Sequence, residues 1–374
     1  MRDVVVVGGG PAGGATSIAL RLRGVPRVTL IDASSPDAVR IGESIPPDTR
    51  LLLSELGLWE SFEAEGHDPC HGSCSSWGSD ELGYNDFLFN PYGSGFHLDR
   101  RRFDSWLVRA AERMGVEVRR STLVETIERQ KEGGFRLKIA QVDDGGGGGF
   151  VNARFVVDAT GRPARVARQL GASRLLHDLL TFVYGFFPPG SGGEAPSLTM
   201  LEAVPYGYWY AARLPEARLV IAVASDPEQL RDDALHRGGV WMERLLATKH
   251  IAKLLVPGAA LEEPLTVSNA PSARLDCPAG PGWLAVGDAA SSFDPLSSQG
   301  IHKALQDGLS AARAITAYFN GDGGALDEYV ASVGERFDDY VRNRAHFYST
   351  EGRFHEAPFW ARRRGETGPP RAAR

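Results

Sequence analysis

The chain has 374 residues, 43% apolar and 24% charged, a globular composition long enough for two domains at roughly 100–200 residues each. Its net charge of -6 argues against a nucleic-acid partner, because phosphate binding needs a basic excess. Cys70, Cys74 and Cys277 suit neither a disulfide framework nor a zinc site, so no metal is expected; without a leader or a long apolar run, the expectation is a cytoplasmic protein with no transmembrane segment.

Residues 4–7 form an apolar strand entering Gly8-Gly9-Gly10-Pro11-Ala12-Gly13-Gly14, and 15–23 carry apolar side chains at helical spacing. Residues 27–31 are a second apolar strand ending at Asp32, so the opening reads as a βαβ unit with parallel strands covered on both faces. A short helix is expected over 54–62. Residues 73–96 hold Trp77, Tyr84, Phe87, Phe89, Tyr92 and Phe96 without a helical period and read as strands and turns of a second domain. Helical spacing returns over 101–114, followed by strands at 116–118 and 122–127. Strands at 135–139 and 150–157 flank a glycine run from Gly145 to Gly149, which reads as a flexible hairpin tip. Pieces over 182–187, 197–203, 207–212 and 219–224, separated by Pro and Gly turns, predict an antiparallel sheet. An amphipathic helix over 240–255, strands over 261–268 and 283–286, and a long helix over 301–319 complete the pattern. The first domain is thus interrupted by the second sheet and finished near the C-terminus.

Gly8-x-Gly10-x-x-Gly13 lies between strand and helix, where the glycines allow a tight turn, backbone approach to a pyrophosphate and close helix packing. Asp32 closes the next strand, placed to accept hydrogen bonds from a ribose diol. Further on, Gly287-Asp288 leads through Pro295 to Gly300-Ile301, which puts a carboxylate at a strand end and a helix start just beyond. Asp288 can hold ribityl hydroxyls, and helix N–H groups can stabilise negative charge on a reduced isoalloxazine, so the dinucleotide is expected to be FAD.

These segments, with Asp158-Ala-Thr-Gly161-Arg162, resemble the two-domain FAD enzymes of the para-hydroxybenzoate hydroxylase fold. The resemblance implies an α/β protein with an α+β second domain. A Rossmann-like FAD-binding domain over 1–65, 98–175 and 275–335 would be interrupted by an antiparallel-sheet substrate domain over 66–97 and 176–274, with a helical segment and tail over 336–374. Arg40-Ile-Gly42-Glu43-Ser44-Ile-Pro46 resembles the branch of flavin-dependent halogenases and geranylgeranyl reductases, which implies Arg40 and Ser44 beside the flavin. Leu98-Asp99-Arg100 is similar to a segment whose first arginine opens a helix against the cofactor. The implied cofactor set is Gly8, Gly10, Pro11, Ala12, Gly13, Asp32, Arg40, Ser44, Arg100, Val124, Asp288, Pro295, Gly300 and Ile301.

Trp77-Gly78-Ser79-Asp80-Glu81-Leu82, Gly95-Phe96-His97-Leu98-Asp99-Arg100 and residues 348–360 resemble the flavoprotein maturases of tryptophylquinone enzymes, the LodB, GoxB and QhpG type. That implies an FAD-dependent monooxygenase using molecular oxygen to hydroxylate an aromatic ring, a tryptophan in a precursor polypeptide, through a flavin C4a-hydroperoxide. The flavin would be reduced by NAD(P)H directly or through a separate flavin reductase. Flavin halogenases need a lysine for hypohalous acid a few dozen residues after the Gly-Glu element, whereas the first lysine here is Lys131. Lys249, Lys253 and Lys303 sit in helical patterns and are expected at the surface. Hydroxylation asks for a dry aromatic wall, with His97, Tyr206, Tyr208, Trp209 and Tyr210 as substrate candidates and Glu43 and His97 as catalytic candidates. The rival readings are a flavin reductase of an apolar, isoprenoid-like substrate, and a flavoprotein that only binds a partner. Phe354, Phe359 and Trp360, with Arg362, Arg363 and Arg364, are expected to cover the substrate entrance or dock a partner, and 365–374 to be disordered.

Overall fold

A computed structural model describes residues 1–34, 42–142, 148–192 and 196–364. Arg40, residues 145–147 of the glycine run and the segment 365–374 lie outside the described residues.

The first strand, Arg2–Val7, is buried along nearly its whole length because both neighbours in its sheet are parallel. Val5 pairs with Thr29 in Val28–Ile31 on one side and with Val156 in Gly148–Asp158 on the other. Glu117–Arg119 extends the parallel sheet at one edge and Trp283–Ala285 at the other. A hairpin of Thr122–Arg129 and Phe135–Gln141 adds antiparallel strands to Gly148–Asp158. The helix Pro11–Leu22 starts with proline, whose missing N–H costs nothing in the first turn. It is crossed closely by Gly300–Phe319, where a Cβ on Gly308 would stand 2.7 Å from the Ala15 Cβ. The largest core surrounds this sheet and helix pair.

The second sheet runs in the order Thr266–Asn269, Thr181–Phe187, Leu219–Ser225, Gly207–Arg213, Thr199–Val204, Gly72–Ser76, Gly83–Asp86. Its pairs are antiparallel except Thr199–Val204 with Gly72–Ser76, which is parallel and joins strands far apart in the chain. Alternate side chains face opposite sides. One face packs Trp209, Val183 and Phe187 against Trp241, Leu245 and Ile251 of the covering helices, and the other carries Phe182, Tyr184 and Tyr208.

Three elements differ from expectation. Residues 240–255 are two helices, because the Glu202 carboxylate accepts the N–H groups of Lys249, His250 and Ile251 at 2.6–2.9 Å and draws the chain out of the Gly238–Leu246 helix before Ile251–Leu254. The short helix near 54–62 is split into Thr49–Glu55 and Trp59–Glu63 by Gly57 at φ +68°. The strand expected over 261–268 is Thr266–Asn269.

The C-terminal part is a long helix, Ala325–Ser349, and a short one, Pro358–Arg363. Phe359 and Trp360 are buried rather than presented at an entrance or to a partner. Trp360 packs on Trp77 at 5.0 Å between ring centroids and donates its indole N–H to the Val204 carbonyl at 2.8 Å. Arg363 pairs with Asp178 and Asp226, and Arg344 with Asp178 and Asp294. No helix among the described residues is long and apolar enough to cross a membrane.

Candidate functional site

A cavity of about 700 Å³ lies between the parallel sheet and the Phe182/Tyr184/Tyr208 face of the second sheet. At one end the chain leaves Arg2–Val7 through Gly8, whose φ of +115° is a region L side chains avoid and whose hydrogen faces the Ala159 carbonyl. Gly10, Pro11 and Ala12 line the cavity. Gly13 does not, since it packs against the Gly8 carbonyl and Ala159 and lets the helix approach the strand. Asp32 also reaches the cavity, its carboxylate steadied by the Ser34 hydroxyl at 2.9 Å. Asp158 is buried and accepts bonds from Thr160 and the Ala167 N–H at 2.7–2.9 Å, fixing the turn that brings Arg162 to the cavity.

Asp288 faces Arg162 at 3.4 Å, and the Gly287 turn before it packs on the glycine-loop helix, where a Cβ on Gly287 would stand 2.7 Å from the Ala12 Cβ. Asp294 caps the Pro295–Ser297 turn through the Leu296 N–H. Its carboxylate also accepts the Tyr208 hydroxyl at 3.0 Å and the Tyr348 hydroxyl at 2.7 Å. Pro295, Gly300 and Ile301 line the cavity, and the helix starting at Gly300 has no side-chain cap among the described residues, so its first N–H groups can face a ligand. Val124 contributes to the wall from the hairpin.

Gly42, Glu43 and Ser44 cross the middle of the cavity. The Arg100 guanidinium opens the helix Arg100–Arg113, donates to the Gly42 carbonyl at 3.2 Å and pairs with Asp104 at 3.2 Å, so it holds this crossing in place while lining the cavity. Ser44 Oγ lies 3.2 Å from the Tyr210 hydroxyl and 3.1 Å from Thr199 Oγ1. Glu43 is buried; one oxygen accepts the Gly42 N–H at 2.9 Å and the other, Oε1, has no partner among the described residues. Burial pushes its acid up to about 7 against the pull of Arg100. Its charge in turn helps to hold the Tyr184 and Tyr210 phenols in their neutral form, behind the larger effect of burial on both.

Of the substrate candidates, Tyr208 and Tyr210 line the cavity and the others do not. Trp209 lies on the opposite face of its strand, fully buried against Trp241, with its N–H donated to Tyr206 at 3.1 Å. Tyr206 is therefore a partner of Trp209 rather than part of the wall. His97 is buried behind Ser44, with Nε2 3.2 Å from Thr199 Oγ1, and desolvation lowers its imidazole to about 4. Phe182 and Tyr184 join the wall from Thr181–Phe187, two strands away across Leu219–Ser225, a placement that period-two alternation could have suggested once that strand's face was known. Lys303, expected at the surface, is 4% exposed and reaches the cavity wall, because its ammonium is drawn inward to Asp307 at 2.8 Å and the Gly287 carbonyl at 3.0 Å.

The donor set fits FAD. The bare backbone of Gly8, Gly9 and Gly10, the carboxylates of Asp32 and Asp288 and a helix start without a side-chain cap among the described residues surround one continuous cavity, and a Cβ on Gly9 would crowd the Asp32 carboxylate at 2.6 Å.

A family model described as an FAD binding domain matches residues 1–182. The chain is 29% identical over 363 residues to the putative FAD-dependent oxidoreductase LodB of Marinomonas mediterranea, covering 96% of each chain. It is 30% identical over 346 residues to the flavin-dependent halogenase armH3 of Armillaria mellea, covering 86% of this chain and 68% of that one. Among solved structures, the peptidyl tryptophan dihydroxylase QhpG, essential for tryptophylquinone cofactor biogenesis, superposes with a TM-score of 0.79 at 26% identity, over 100% of this chain and 80% of that one.

Proposed function

The chain belongs to the FAD-dependent oxidoreductases of the para-hydroxybenzoate hydroxylase fold, and from that premise we propose that it is a monooxygenase hydroxylating an aromatic ring, with a tryptophan side chain of a peptide or protein precursor as substrate. The observation that carries this reading is the wall facing the cofactor end: Phe182, Tyr184, Tyr208 and Tyr210, with the carboxyl of Glu43 beside them. Bound FAD, once reduced by an external nicotinamide or flavin reductase, would supply two electrons to molecular oxygen, so that one oxygen atom reaches the ring and the other leaves as water.

The residues of the chain do the rest. The aromatic wall orients a flat ring and excludes water. Once the ring carbon carries oxygen, its C–H bond breaks, the electron pair returns to the ring and the proton passes to Glu43 Oε1. An acid near 7 suits that exchange at neutral pH. Asp32 and Asp288 hold the hydroxyl groups of the cofactor, and the Gly8–Gly13 loop and the Gly300 helix start face its anionic parts.

Identity to a halogenase raises the alternative of halogenation. Against it, Lys303 is the one lysine lining the cavity among the described residues, and its ammonium is held by Asp307 and Gly287. The deciding experiment supplies the FAD-loaded protein with NADH, a flavin reductase, isotopically heavy O₂, chloride or bromide, and tryptophan-containing peptides, with mass spectrometry of the peptide. Heavy oxygen in the indole supports hydroxylation. A halogen on the ring, or peroxide formed while the peptide is unaltered, refutes it.

A further inference from the structure

Lys303 sits in the first turns of the helix Gly300–Phe319, and its ammonium meets the Asp307 carboxylate at 2.8 Å. From the neighbouring helix Ala325–Ser349, Arg336 reaches the other oxygen of the same carboxylate at 3.0 Å. Asp307 also accepts the Gly287 N–H at 3.0 Å, so the three charges lie directly behind the Gly287-Asp288 turn at the cavity. Lys303 and Asp307 are 4% and 1% exposed. One carboxylate faces two cations, which leaves a formal excess of one positive charge. The nearby Asp288 carboxylate does not offset it, since that group faces Arg162.

We infer that the Lys303–Asp307–Arg336 cluster raises the reduction potential of the FAD bound in this cavity. Reduction places negative charge on the isoalloxazine, and a fixed excess cation behind the wall favours that state. In a poorly solvated interior such a charge acts with little screening. A structural tie alone does not call for it. Asp307 by itself already fastens the turn through the Gly287 N–H, and a buried ion pair adds little stability over an apolar replacement.

The inference rests on the FAD-binding part of the proposed function and not on the fate of any arene. The test is anaerobic potentiometry of the FAD-loaded protein without substrate, following the flavin spectrum. Lys303→Met, which removes one cation, is expected to lower the ratio of reduced to oxidised flavin about tenfold at fixed poise, about 30 mV for a two-electron couple. Asp307→Asn is expected to raise it by a similar factor, and Lys303→Arg to keep the parent value. Arg336→Met removes the second cation from a more accessible position and decides the matter if Lys303→Met does not fold. Unchanged potentials in the Met variants, or shifts of the same sign on removing cation and carboxylate, overturn the inference. A protein that shows the opposed shifts yet oxidises no aromatic peptide overturns the proposed reaction instead.

Discussion

Replacing Glu43 with glutamine will make the cofactor-free protein gain stability relative to the parent as pH rises. In the folded protein the carboxyl is buried, with Oε1 unpartnered among the described residues, and ionises at about 7, whereas the unperturbed acid ionises at 4.5. Between those values the unfolded chain has released a proton that the folded chain still holds, so raising pH favours unfolding. The stability contributed by the neutral acid is complete below 4.5 and lost as pH rises through about 7. At 1.36 kcal/mol per pH unit, the loss across the interval is about 3 kcal/mol. Glutamine carries no charge and escapes it, apart from a pH-independent cost of burying its amide. Urea unfolding of both proteins at pH 4.5, 6 and 8 measures the difference; a change of about 3 kcal/mol in favour of the variant is expected. A difference that stays constant with pH would falsify the assignment of this titration to Glu43. In the same pair, turnover by the parent is expected to rise with pH through about 7, and the variant to lose that dependence along with most of its activity.

Gly8→Ala, whose Cβ would meet the Ala159 carbonyl at a backbone φ of +115°, is expected to purify without flavin colour, and retention of stoichiometric FAD would contradict the loop assignment. Asp32→Ala is expected to weaken FAD about 10- to 100-fold, the range of a hydrogen bond to a charged group, measured by flavin fluorescence titration. Trp209→Ala will cost about 3–5 kcal/mol of stability through the buried cavity it leaves, with little change in KM for a peptide substrate. Tyr210→Phe will show the reverse, near-parent stability with altered turnover, because its hydroxyl lies at the cavity.

The parts legible in the sequence are those where local geometry restricts residue type. Gly8 is required by its positive φ and Gly13 by its approach to a neighbouring carbonyl, so the loop is written in glycines. Asp288 stands just after the strand Trp283–Ala285, whereas Gly300 has open space around it and no positive φ, so the helix start was legible from the strand–turn–helix order rather than from its glycine. The strand Gly207–Arg213 was equally visible, yet alternation gives two equivalent assignments of inside and outside. Only the packing of Trp241 from a later helix places Trp209 away from the cavity and Tyr208 and Tyr210 toward it. Lys303 and Asp307, four residues apart on a helix, have the pattern of a solvated pair; their burial depends on the Gly287 turn and on Arg336, both supplied by other parts of the chain. Trp360 was hidden for the same reason, since its contacts come from Trp77 and Val204.

Asp294 has a consequence for the order in which the protein is made. The backbone N–H of Asp294 is bonded to the Tyr340 hydroxyl, and its carboxylate is bonded to Arg344 and Tyr348. The turn it caps, next to the Gly300 helix start, is therefore anchored by residues synthesised some fifty positions later. A nascent chain can fold the glycine loop and Asp32 early, but the Asp294 turn acquires its anchor only after the long C-terminal helix has left the ribosome. Stable loading of the dinucleotide is then a late event in biogenesis, and ribosome-bound chains stopped before residue 340 should release FAD much faster than full-length ones.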